Sequence, residues 1–68
     1  MIKKGNTVKH RKMIDVVFLI QHVEENSGED YVCKGLWFLK DGRILNDRCD
    51  TILISKKDIH NWFEVAIA

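Results

Sequence analysis

The sequence predicts one small all-β, or mostly β, domain: a small barrel or a bent antiparallel sheet of about five strands, with a helical turn or short C-terminal helix late in the chain. Three observations carry this expectation. Runs rich in β-branched and aromatic residues recur along the 68 residues, and such side chains suit the pleated, half-buried surface of a strand. Clusters of glycine, asparagine, aspartate and serine separate the runs, and proline is absent, so these residues supply all of the turn chemistry. The C-terminal segment offers apolar positions at helical spacing, which brings in the late helical turn or short helix.

The bulk numbers agree. Hydrophobic residues at 46 % and charged residues at 31 % are ordinary globular values and argue against a disordered tail. The length admits a single domain over residues 1–68. A chain of this size buries only about 60 % of the surface it exposes when unfolded, so its core is small.

Taken in order, Gly5-Asn6 is a turn and Thr7-Val8-Lys9 opens the first strand. The second run, Asp15–Val23, reads as a strand. Started at Ile14, it places Ile14, Val16, Phe18 and Ile20 on one face and Asp15, Val17, Leu19 and Gln21 on the other. Glu25-Asn26-Ser27-Gly28-Glu29-Asp30 is the next turn. The run Tyr31–Lys40 then sets Cys33, Gly35, Trp37 and Leu39 against Leu36 and Phe38. Asp41-Gly42 predicts a tight hairpin of type I′, leading to Arg43-Ile44-Leu45, and Thr51–Ile54 is a further strand.

Two readings compete for the C-terminus. Ser55-Lys56-Lys57-Asp58 matches a capping box, after which Ile59, Trp62, Phe63, Ala66 and Ile67 form an apolar helical stripe. Alternatively, one helical turn at Lys56–His60 precedes a last strand, Trp62–Ile67. The second reading is favoured, because Trp-Phe-Glu-Val is a good strand sequence and a barrel needs closing.

This order of elements resembles that of small SH3-like barrels, including KOW-type domains and short uncharacterised bacterial proteins. The likeness rests on the Gly5-Asn6-Thr7-Val8-Lys9 entry, the strand with Met13 and Val16-Val17, the Trp37-Phe38 strand, and Ser55-Lys56-Lys57-Asp58-Ile59 before a closing strand. It implies a barrel with a short helical turn ahead of the last strand. The glycine expected partway along the first KOW hairpin is missing between Arg11 and Val16, so a KOW-type function is not carried over to individual residues.

Charge is distributed unevenly. Residues 1–12 hold Lys3, Lys4, Lys9, Arg11 and Lys12 with no acid, whereas the other 56 residues hold 6 bases and 10 acids. A basic edge on a mildly acidic body steers anionic partners or keeps an edge strand soluble. No secretory signal opens the chain, no apolar run approaches the roughly 20 residues of a membrane span, and two cysteines are too few for a secreted disulfide scaffold. The expectation is a complete small cytoplasmic product with reduced thiols and no membrane association, similar in kind to accessory proteins of phages and mobile elements.

No pattern points to catalysis or to a cofactor. Cys33, Cys49, His10, His22 and His60 could ligate zinc, but no short-spaced pair of ligands occurs, so no metal is expected. Ser27 and Ser55 are explained by turn and cap positions, and the glycines form no phosphate-cradling loop. Non-enzymatic binding remains. Val17, Leu19, Leu36 and Phe38 are surplus apolar residues on a second sheet face, rimmed by Lys34 and Lys40, and they predict a surface for an unidentified protein partner. An alternative is nucleic-acid binding through Lys3, Lys4, Lys9, Arg11 and Lys12, with Tyr31, Trp37 and Phe38 as stacking surfaces. A third is a structural subunit of a homodimer or larger homo-oligomer.

Overall fold

The computed structural model describes residues 2–26 and 28–66. Five strands, β1 (Thr7–His10), β2 (Val16–Asn26), β3 (Asp30–Leu39), β4 (Asp50–Ser55) and β5 (Trp62–Glu64), form one antiparallel sheet in the order β4-β3-β2-β1-β5. A 3-10 helix, Lys56–Asn61, joins β4 to β5. The chain meanders from β1 to β4 and then crosses back to lay β5 beside β1. The sheet is bent and is not closed into a barrel: among the described residues no ladder joins the two edge strands, β4 and β5.

Strand alternation divides the sheet into two faces. The inner face buries Val8, Phe18, Ile20, Cys33, Ile54 and Trp62, with Ile2, Met13, Val23, Tyr31, Trp37, Ile52 and Ile59 packed around them. The Phe18 and Trp37 rings meet edge to face at 4.8 Å, and the Trp37 indole N–H donates to an Asp50 carboxylate oxygen at 2.9 Å. That bond lets a large amphipathic ring sit half-buried with its polar atom satisfied. A register shift between Ile20 and His22 lets Val23 pair with Cys33 and join the inner face. A bulge of this kind resets the in/out alternation partway along a strand.

Gly35 sits opposite Ile20 on that inner face. A Cβ there would lie 1.8 Å from the Leu19 carbonyl oxygen and 3.2 Å from the Phe18 ring. The close approach of β2 to β3 beneath the Phe18 ring therefore requires the absence of a side chain.

Several local expectations are corrected. Ile14 is not a core residue but 80 % exposed, because Asp15 adopts a positive φ of 65° and β2 starts only at Val16. The Asp41-Gly42 hairpin forms, though not as type I′. Gly42 alone of the pair has positive φ (94°), the Gly42 N–H donates to the Leu39 carbonyl, and the Leu39 N–H donates to that of Arg43. This is a three-residue loop with a glycine bulge, the next most common hairpin connection after the two-residue turns. The C-terminal helical stripe is absent among the described residues: Lys56–Asn61 is a single 3-10 segment and a strand follows at Trp62, as in the favoured reading, but that strand ends at Glu64, and Val65 and Ala66 are not part of it. Ser55 caps the segment by accepting from the Lys57 N–H. Asp58 does not complete a capping box with it, since its carboxylate is bonded to His10 and Asn61. The expected turn position of Ser27 and strand position of Ile67 lie outside the described residues.

Candidate functional site

The six side chains expected on the second face are gathered on the outer face of the sheet. Val17 is paired with Phe38 and Leu19 with Leu36 across β2 and β3. Lys34, Leu36, Phe38 and Lys40 alternate along β3 and its end, and both lysines are exposed. One of the six is not accessible. Val17 is only 1 % exposed and lies outside the inner cluster, so it forms the floor of the outer face rather than a contact surface. Leu19, Leu36 and Phe38 are half-buried, with part of each side chain reaching solvent.

The structure adds three residues to this face that the strand pattern did not single out. Lys9 of β1 is paired with Phe63 of β5, and extending the β1–β2 register by one residue sets Lys9 beside Val17. On the other side of the sheet, a bridge joins Phe38 to Ile44 in the chain returning from the hairpin. A transverse row results: Phe63, Lys9, Val17, Phe38, Ile44. It crosses roughly 19 Å at the usual inter-strand spacing. Phe63 is 48 % and Ile44 50 % exposed, so both ends of the row are open. The β1–β5 pairing joins residues more than fifty positions apart, and no local pattern in the sequence signals it.

The basic residues of the N-terminal segment do not form one stripe. Lys3 and Lys4 precede β1 in a turn, Lys9 lies on the outer face, and Arg11 and Lys12 follow the strand. Arg11 donates through its guanidinium to the Asn61 side chain and through its backbone N–H to the Asn61 carbonyl. The aromatic rings suggested for base stacking are divided. Trp37 and Tyr31 belong to the inner face, the latter with the Lys56 ammonium 5.1 Å from its ring centre, and only Phe38 lies outside.

Several titratable groups elsewhere are engaged with one another. His10 Nδ1 accepts from the Lys12 backbone N–H, which leaves the proton on Nε2, and that nitrogen donates to Asp58 at 2.9 Å. Hydrogen bonds from Asn61 and then from His10 hold the Asp58 carboxyl below the usual carboxylate range. His22 is bonded to Glu24, and Lys56 to Glu25. Cys33 is buried, and burial pushes its thiol above the ordinary value. That is the opposite of what an activated nucleophile needs. Cys49 is exposed, and both thiols are free.

Among the described residues, no three His, Cys, Asp or Glu side chains are grouped so as to hold a metal ion. Two open depressions, of about 270 Å³ at Gly28–Asp30 and Ser55–Lys57 and about 350 Å³ around Asp15, Leu39 and Arg43, are lined mostly by polar and charged residues. Among the described residues no helix is long and apolar enough to cross a membrane. No protein-family model, no curated protein and no solved structure matches the chain.

Proposed function

We propose that this protein is a small non-enzymatic binding module of the cytosol that recognises a protein partner through the outer face of its sheet. The observation that carries the reading is the row Phe63, Val17, Phe38 and Ile44, flanked by Leu19 and Leu36, on a face that a solvated sheet normally fills with polar side chains. Half-buried apolar residues over a packed floor, with lysines at the margin, have the composition of an interface centre and rim. The 3-10 turn immediately before the last strand also supports the likeness to small SH3-like barrels, from which the open sheet departs.

The test is capture by the immobilised chain from host lysate, divided into nuclease-treated and untreated halves. A stoichiometric protein that survives nuclease, and is lost with the Leu19→Asp, Phe38→Asp double variant, is the expected result. Because both positions are half-buried, Phe63→Asp at the exposed end of the row serves as the second variant, and circular dichroism reports the fold of each. Recovery that vanishes with nuclease, or binding indifferent to Phe63→Asp and Phe38→Asp in folded protein, overturns the reading.

A further inference from the structure

We infer that the partner segment received by the outer face is acidic, carrying carboxylates among large apolar side chains. This rests on the outer face being the binding surface. Lys9, Lys34 and Lys40 stand around Leu19, Leu36 and Phe38, and among the described residues none of the three ammonium groups has a hydrogen bond or an ion pair. Four bases elsewhere in the chain are paired internally: His10 with Asp58, His22 with Glu24, Arg43 with Asp41, Lys56 with Glu25. Of the acids near the patch, Glu24 is bonded to His22 and also feels the Lys34 charge, and Asp15 accepts the Lys40 backbone N–H at the end of the strand pair; Lys9 has no such neighbour among these contacts.

Lys9 decides the partner's charge. It sits within the transverse row, between Phe63 and Val17, so a partner that seals the row also covers this ammonium group. A charge taken from water without a counter-charge is costly, and a partner carboxylate at that point supplies one. The other occupants fit less well. A second copy docked by a two-fold axis meets the patch with itself, so the covered Lys9 ammonium groups of both copies gain no carboxylate from the row, which holds none. A nucleic-acid strand finds only Phe38 and Phe63 as rings on this face, with the two tryptophans and Tyr31 turned to the inner face.

The probes are ten-residue peptides alternating leucine with glutamate or leucine with lysine, and a ten-residue oligothymidylate, each titrated into the isotope-labelled chain and followed by amide shifts. The glutamate peptide is expected to move the amides of Leu19, Leu36 and Phe38 and to bind at least about tenfold tighter than the lysine peptide, with affinity falling as salt rises. Lys34→Glu with Lys40→Glu, both at exposed positions, is expected to reverse that preference in protein with unchanged amide dispersion. Lys9→Gln is expected to weaken the glutamate peptide alone. If both peptides bind this face equally and charge reversal changes nothing, the acidic assignment is overturned while the binding face stands. Failure of any probe to bind also overturns the assignment. Binding of the oligothymidylate alone, or self-association of the chain through this face in sedimentation, overturns both readings.

Discussion

Replacing Gly35 by alanine is the most direct test of how β2 and β3 are held together. The added Cβ would stand 1.8 Å from the Leu19 carbonyl oxygen, 2.9 Å from the Leu19 carbonyl carbon and 3.2 Å from the Phe18 ring. Ordinary van der Waals contact begins at 3.4 Å, so the carbonyl must retreat by roughly 1.6 Å, more than side-chain rotation can absorb. The obstacle is backbone, and it lies beside the bulge at Ile20/His22, where the ladder is already irregular. Overpacking of this kind costs about 1–3 kcal/mol, and one ladder hydrogen bond lost in the shift adds about 1 kcal/mol. A chain of 68 residues has a total stability of only about 3–10 kcal/mol. The two costs together, about 2–4 kcal/mol at about 4–8 °C per kcal/mol for small domains, should lower the melting temperature by roughly 8–32 °C. Thermal unfolding followed by tryptophan fluorescence measures this, since Trp37 and Trp62 both belong to the inner face. A Gly35→Ala variant melting within about 3 °C of the parent would refute the argument from close approach.

Two further outcomes follow from the buried and bonded side chains. A thiol reagent such as Ellman's should titrate one cysteine, Cys49, in the native protein, and the second, Cys33, only in denaturant, because Cys33 is buried and its thiolate disfavoured; two fast thiols in the folded state would contradict that packing. Asp58 has a depressed carboxyl pKa, held down by Asn61 and His10. Its contribution to stability is therefore present above the unfolded carboxylate value of about 3.9 and is lost as pH falls through the lower folded value. Asp58→Asn should be less stable than the parent at neutral pH, with the gap closing below about pH 4, as read from melting temperatures across an acid series. A gap that stays constant with pH would mean that the carboxylate's charge plays no part in the difference.

The parts of this fold that obey short-range rules were readable in the sequence. The two-faced character of β2 and β3 follows from alternation alone, and pairing of Val17 with Phe38 and Leu19 with Leu36 delivers the outer face that alternation implies. The choice of a turn plus strand at Trp62 followed from the strand propensity of Trp-Phe-Glu-Val. What could not be read depends on single backbone angles or on distant partners. The positive φ of Asp15 removes Ile14 from the sheet, and nothing in Met13-Ile14-Asp15 announces it. The bulge after Ile20 rescues Val23 for the inner face against simple alternation. Lys9 looks from the sequence like one of a basic group, whereas its place between Phe63 and Val17 depends on β5 returning to β1. The burial of Val17 likewise depends on what surrounds it across the sheet, not on its own strand.

The placement of β5 beside β1 also sets an order of assembly. The β2–β3 hairpin closes a loop of only a few residues, whereas joining Lys9 to Phe63 closes one of more than fifty. By loop-closure entropy the second event costs roughly 2 kcal/mol more than the first. A three-residue ladder and the burial of one indole, that of Trp62, must recover it. During synthesis β1 therefore waits with one edge unpaired until β5 is made, and the inner face lacks Trp62 throughout that interval. In the finished molecule the basic flank of β1 and the end of the outer row at Phe63 rest on that same three-residue ladder, and few paired residues are what lets a sheet edge open locally.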